Sequence, residues 1–190
     1  ALATRHPGLP PIQLPGKLLM PGMIDAHHHL TQTFGKSLAY GEPSEIFRRI
    51  WVPLEVSLDD EFVYLVSKLA ELESLRGGFT TGCDAGTRAS GGIDAVATAT
   101  QEAGLRCVLG LICNDGGNAS TPDERRALKR RAADFLQQWS GNAMVRPSLA
   151  ISVPEAASYE MLIEVSALCA EARTIFPTHV NEHLASVARS

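Results

Sequence analysis

Apolar positions along this chain alternate between two rhythms. Residues 1–16 are a lead broken by proline and glycine, and residues 17–27 carry the chain into a short apolar strand. Over 59–77 the spacing changes: Phe62, Leu65, Val66, Leu69, Leu72 and Leu75 recur every three or four residues and stop at Gly77-Gly78, which predicts an amphipathic helix. Residues 79–84 read as a second strand, 93–103 as a helix ended by Gly104, and 106–112 as a third strand. Thr121-Pro122-Asp123-Glu124 opens another helix that runs to about Trp139: Thr caps, Pro takes the first helical position, and Glu124 returns a bond to the cap. A fourth strand over 145–152, a helix over 158–172 with Met161, Leu162, Val165 and Leu168 on one stripe, and a fifth strand over 174–180 complete the pattern. Strand followed by helix, repeated and closed by a strand, is the signature of an α/β fold with a parallel sheet, because parallel neighbours need crossover helices. Periodicity alone does not separate an open doubly wound sheet from a closed barrel.

Composition narrows the function classes. The 190 residues are 45% apolar and 20% charged, with 16 glycines and 11 prolines, so the chain is globular rather than low-complexity. No apolar run approaches the ~18 residues of a membrane span, and residues 1–11 lack the basic start and apolar core of a secretory signal. A net charge of -4 offers no general attraction to phosphate backbones, and the basic run over 125–131 sits inside a helix begun by Asp123 and Glu124, where it reads as a solvated face. Neither nucleic acid nor a membrane is expected as a partner; a small-molecule substrate is, and a homo-oligomer is compatible with the composition. Cys83, Cys107, Cys113 and Cys169 form no CxxC pair and lie in apolar segments, which suits buried reduced thiols and a cytoplasmic setting.

No glycine-rich phosphate loop follows the first strand; histidines do. Five of the six histidines fall in two clusters, Asp25-Ala26-His27-His28-His29 and Thr178-His179-Val180-Asn181-Glu182-His183. Alternate residues of a strand share a face, so His27 and His29 point to one side and His28 to the other. Two imidazoles in register at the C-terminal end of an apolar strand are poorly explained without a ligand. With His179 from another strand end they make a three-nitrogen site for one divalent cation, zinc first and iron second, with a position open to water. His6, His28 and His183 are not forced onto that face and read as bystanders. Asp84, Asn114, Asp115 and Ser152 stand at predicted strand ends, where they either line a substrate pocket or cap loops.

Residues 19–30, LMPGMIDAHHHL, resemble the PGxIDxHxH signature that opens the barrel of the amidohydrolase superfamily. The resemblance continues through Trp51–Glu55, Gly78–Asp84 and Ala103–Arg106, in a layout similar to the branch of mononuclear deaminases and chlorohydrolases that includes cytosine deaminase. It implies the first five β/α strands of a distorted (β/α)8 TIM-type barrel over 19–190, with 1–18 as lead-in and remnant of a small β domain. In that branch the fifth strand ends in HxxE, whose histidine holds the metal and whose glutamate shuttles a proton; here these are His179 and Glu182. Binuclear members carry a bridging lysine on the third or fourth strand, and Lys17, Lys36, Lys68 and Lys129 lie on neither, so one metal is implied.

The implied chemistry is hydrolytic deamination or dechlorination of an amino- or halo-substituted nitrogen heterocycle. The cation brings water from a pKa of 15.7 towards ~7, and Glu182 protonates a ring nitrogen as hydroxide adds. Ring-amide hydrolysis is the alternative within the family. The Pro-His pair that many of these deaminases carry after strand four is missing from Ala150-Ile151-Ser152-Val153-Pro154-Glu155, so their substrates do not transfer. The family's sixth-strand histidine and eighth-strand aspartate would fall beyond Ser190, so the 190 residues alone are expected to be inactive, at most binding a metal or a partner. Residues 179–183 also spell HxxEH, an inverted zinc-protease motif, which requires a helix; Pro177 and the run Thr174-Ile175-Phe176 argue for a strand end instead.

Overall fold

The computed structural model describes residues 2–42, 46–90, 92–116, 120–182 and 184–187. After a short helix, α1 (Leu2–Arg5), and an irregular exposed stretch, the chain enters β1 (Met23–His28). A 3-10 segment (Leu30–Leu38) and a π turn (Phe47–Trp51) continuing into α2 (Val52–Val56) lead to α3 (Asp60–Arg76). Then come β2 (Phe79–Asp84), α4 (Ile93–Ala103), β3 (Arg106–Ile112), α5 (Pro122–Gln138), β4 (Val145–Ala150), a 3-10 turn (Pro154–Ala156), α6 (Tyr159–Glu171) and α7 (Leu184–Val187).

The four strands are all parallel and lie in the order β1-β2-β3-β4. Each new strand is added on the same side of the last, which is how a barrel is wound; a doubly wound sheet reverses direction part-way. This settles the choice that periodicity left open. Along β3 the period of two is visible: Cys107, Leu109 and Leu111 are buried among the helices, whereas Arg106 at the start of the other face is exposed. Val145 and Leu149 of β4 join them against Phe135 and Leu136 of α5 and Met161, Val165 and Cys169 of α6. The helix ends follow local chemistry. Asp59 accepts from the Phe62 amide at 2.8 Å, Thr121 and Glu124 form the reciprocal capping box, and Gly104 closes α4 at φ +82°.

Two expectations need correcting. Most of the large apolar residues expected on the core face of α3 do not face it: Phe62, Leu65, Leu69 and Leu72 are each about half exposed; Val66 of that stripe is buried, together with Val63, Ser67, Ala70 and Glu71. Helix α3 packs tightly against its neighbours, so close that a Cβ on Gly92 would sit 3.1 Å from Val63, and such an approach favours short side chains. The fifth strand does not form either. Residues 174–180 run beside β4 without regular pairing, held by Thr174 Oγ1 donating to the Pro147 carbonyl (2.8 Å), Ser148 Oγ to that of Ile175 (2.7 Å), and the Ile151 amide to that of Pro177 (3.3 Å). Pro177 has no N–H to continue a ladder.

All four cysteines are free and buried, and burial pushes the Cys83 thiol up to about 11 and the Cys113 thiol up to about 12, which leaves them inert. Among the described residues no helix is long and apolar enough to cross a membrane.

Burial also raises the Glu71 carboxyl, from an ordinary value near 4.5 up to about 8, against the opposing hydrogen bond from the Thr100 hydroxyl. Between these values the folded protein holds a proton that the unfolded chain has released. Stability therefore falls as pH rises through that window, and the loss is complete above about 8. Glu71→Gln is expected to raise stability by a few kcal/mol at pH 8.5 and to change it little at pH 4.5, read as the shift in urea midpoint at the two pH values. Equal shifts at both would show that Glu71 is not the titrating group.

Candidate metal centre

Strand β1 and the residue that directly follows it deliver His27 and His29 to the sheet's C-terminal end. The strand's last turn is pinned by the Ala85 amide donating to the His28 carbonyl at 3.0 Å. Asp84, at the end of β2, is buried and accepts from the amides of Leu30 and Gly86, both at 2.7 Å. Burial pushes this carboxyl up to about 6 despite those two donors. Gly86 adopts φ +91°, and a Cβ there would lie 2.3 Å from the Gly110 carbonyl oxygen, so only glycine allows this close approach of β2 to β3. Asp84 is thus a clamp on the backbone directly after His29.

The third imidazole arrives from 150 residues away. His179 Nε2 lies 3.1 Å from His29 Nε2, the ring centroids of His27, His29 and His179 are 4.8–5.2 Å apart, and one donor atom from each falls within 4.8 Å of the others. Zinc–nitrogen bonds of about 2.0–2.1 Å place tetrahedral ligands about 3.3 Å apart, so the contact between His29 and His179 is of ligand-pair size. His179 Nδ1 lies 2.7 Å from the Ser152 carbonyl, to which the His179 amide also donates at 3.1 Å. A carbonyl only accepts, so the proton belongs on Nδ1, and Nε2 presents its lone pair to the cluster. Burial, reinforced by the neighbouring charges of His179, His27, Arg88 and His28, lowers His29 to about 3, and burial lowers His27 as well. Both rings are neutral at pH 7, the form that ligates. The donor set therefore fits a divalent cation: three imidazoles, two held neutral by burial and the third with an acceptor facing its Nδ1.

Glu182 is exposed and near enough to His27 for its charge to favour the protonated form of that ring. The backbone of Asn181, between His179 and Glu182, takes φ +56°, and residues 174–182 contain no helix, so the geometry an HxxEH protease site needs is absent here. His183 lies outside the described residues. His28 points away from the cluster, 3.4 Å from Asp25, and His6 is exposed in the lead.

Of the other singled-out residues, Asn114 and Ser152 bond each other twice, side-chain amide to hydroxyl and backbone amide to side-chain carbonyl, both at 2.9 Å. They stand directly behind His179. Asp115 accepts from the Ser158 amide and hydroxyl, each at 2.6 Å, at the start of α6. Sequence reasoning did not single out the half-buried Arg88 or the buried Glu55, which form an ion pair at 3.1 Å, nor Thr31 and Gln32, which donate to Glu55. Glu55 carries a weak local signal, a lone carboxylate in the apolar stretch 51–56; Arg88 carries none, since its partners are 33 and 64 residues distant.

The sequence pattern that defines the amidohydrolase family matches residues 18–190. The chain belongs to that family. Relatives of this amidohydrolase include the 5-methylthioadenosine/S-adenosylhomocysteine deaminase 2 of Archaeoglobus fulgidus, 34% identical over 178 residues covering 91% of this chain and 40% of the relative. The 5'-deoxyadenosine deaminase of Methanothermobacter thermautotrophicus is 31% identical over 182 residues, covering 92% and 41%. Among solved structures, an adenosine deaminase from Xanthomonas campestris with bound zinc superposes with TM-score 0.74 at 27% identity, over 90% of this amidohydrolase chain and 38% of that one. A guanine deaminase from C. acetobutylicum reaches TM-score 0.81 at 17% identity over 97% and 45%, a likeness of fold. The chain spans about two-fifths of the length of the curated relatives it matches.

Proposed function

We propose that this protein is a metal-dependent hydrolase that removes an amino group, or a halide, from a nitrogen heterocycle. The observation that carries the reading is the convergence of three imidazole donors within 4.8 Å at the C-terminal end of a barrel-type sheet. His27, His29 and His179 would hold one divalent cation, zinc before iron. When bound, such a cation supplies Lewis acidity that brings water from a pKa of 15.7 to about 7. The chain's own part is proton transfer: Glu182 would give a proton to the ring nitrogen, which keeps it, as a water oxygen adds to the carbon bearing the amine; one water proton passes through a second base to the amine, which leaves as ammonia, and Glu182 recovers the other as the carbonyl forms. The relatives named for adenosine-type substrates put aminopurine nucleosides first among candidates, with aminotriazines second. The four buried, unreactive thiols support a cytoplasmic setting, and residues 1–18 are read as part of a small β domain.

The test is ammonia release from zinc-loaded protein against aminopurine nucleosides, aminotriazines and cyclic amides, run on the 190 residues and on the complete reading frame that carries them. The 190 residues alone are expected to bind one cation and release no ammonia; the complete reading frame is expected to release ammonia from an aminated ring. Ring opening without ammonia would replace the deaminase reading with cyclic-amide hydrolysis, and zinc-loaded full-length protein inert towards all three classes would sink it.

A further inference from the structure

Behind the three imidazoles lies a polar relay that the proposed chemistry does not use. Arg88, in the β2–α4 connection, divides its guanidinium between two partners. One nitrogen donates to Glu55 Oε2 at 3.1 Å, the other to Ser152 Oγ at 2.5 Å, and the Phe47 ring lies 4.3 Å from its central carbon. Glu55 is wholly buried, and its second oxygen accepts from Thr31 Oγ1 at 2.9 Å and Gln32 Nε2 at 3.2 Å. Ser152 is the hub of the relay. Its hydroxyl takes Arg88 and the Asn114 amide, its N–H goes to the Asn114 side-chain oxygen, and its carbonyl receives both the backbone N–H and ring Nδ1 of His179.

We propose that Arg88 is a positioning residue for His179: by gripping the Ser152 hydroxyl while anchored to Glu55, it holds the carbonyl that selects the His179 tautomer. An imidazole presents its Nε2 lone pair only while the proton stays on Nδ1, and that proton stays while an acceptor faces it. The Ser152 carbonyl is such an acceptor, but it follows β4 in irregular backbone with no strand pairing to keep it in place. The planar, two-pronged guanidinium adds its restraint to the two Asn114 bonds and links Ser152 to Glu55 in the segment between β1 and α3, so both sources of histidine are referenced to one rigid group. The consequence for a cation rests on the reading of His179 as a ligand; the consequence for the tautomer does not.

Long-range proton–nitrogen correlation spectra of the metal-free protein at pH 8 read the His179 tautomer, and cobalt(II) titration reads affinity. Wild type is expected to show His179 protonated at Nδ1 alone. Arg88→Met is expected to show a mixture of tautomers and a cobalt affinity about 10- to 100-fold lower, the usual cost of losing an outer partner of a metal-binding histidine. Arg88→Lys should recover part of both, since one ammonium reaches one of the two partners. If Arg88→Met does not fold, Ser152→Ala carries the same test, because it removes the hydroxyl that Arg88 and Asn114 hold while leaving the Ser152 N–H bond to Asn114 in place. A single Nδ1–H tautomer and unchanged cobalt affinity in either folded variant would overturn the proposal. An ordered tautomer in wild type, lost in Arg88→Met, in a protein that binds no cobalt would refute the cation reading and leave the role of Arg88 standing.

Discussion

Replacing His29 by alanine is expected to lower the affinity for zinc by about 10²–10³-fold, the largest effect on binding of any single change in this chain. The size follows from structural zinc sites, where about 10–16 kcal/mol is shared among four ligands, so each is worth about 3–4 kcal/mol. His29 is the most telling of the three because it is partly buried, held neutral by its surroundings, and in direct contact with His179 through the two Nε2 atoms. Backbone bonds at Leu30 and Ala85 hold the end of β1, so the variant should keep its fold, which circular dichroism can check. His28→Ala is the internal control: it removes an imidazole one position away whose ring faces Asp25, and zinc affinity should not change. Competition with a chromophoric chelator measures both variants. Equal affinities for the His29 variant and wild type would mean that the cluster is not where the cation binds.

Glu182→Gln should cut turnover of the full-length protein by about 10²–10⁴-fold, the range that general acid–base groups contribute, while zinc affinity stays as in wild type. The substitution keeps shape and removes only the ability to give and take a proton. Glu182 is not one of the three donors that converge on a point, so its loss should not empty the site. The separation of the two readouts is diagnostic. Lost turnover with zinc retained assigns proton transfer to Glu182, joint loss of both makes it part of the metal site, and an unchanged rate takes it out of the mechanism.

Much of this was legible in the sequence, for local reasons. Strands β2 and β3 and helix α4 lie where the expected elements begin and end, because short apolar runs and glycine stops act within a few residues, as Gly104 does at φ +82°. The Thr121–Glu124 box marks α5 in the same way. The segment between β1 and α3 was not legible. It has no period to read, and its 3-10, π and α turns serve contacts with Arg88 and α3 that are remote in sequence. In α3 two apolar stripes compete, and residue size pointed to the wrong one; which face is buried depended on how closely the neighbouring elements approach.

The histidines divide in the same manner. That His27 and His29 share a face follows from the pleat of any strand, and that Glu182 lies three residues after His179 is read from the sequence itself. That His29 and His179 meet at 3.1 Å, that a serine carbonyl chooses the tautomer of one of them, and that Asn114 and Ser152 are tied to each other and to Arg88 were decided by the fold. Periodicity and turn chemistry act over a few residues, whereas these contacts join positions 27 to 150 residues apart and exist only once the parallel strands are laid side by side.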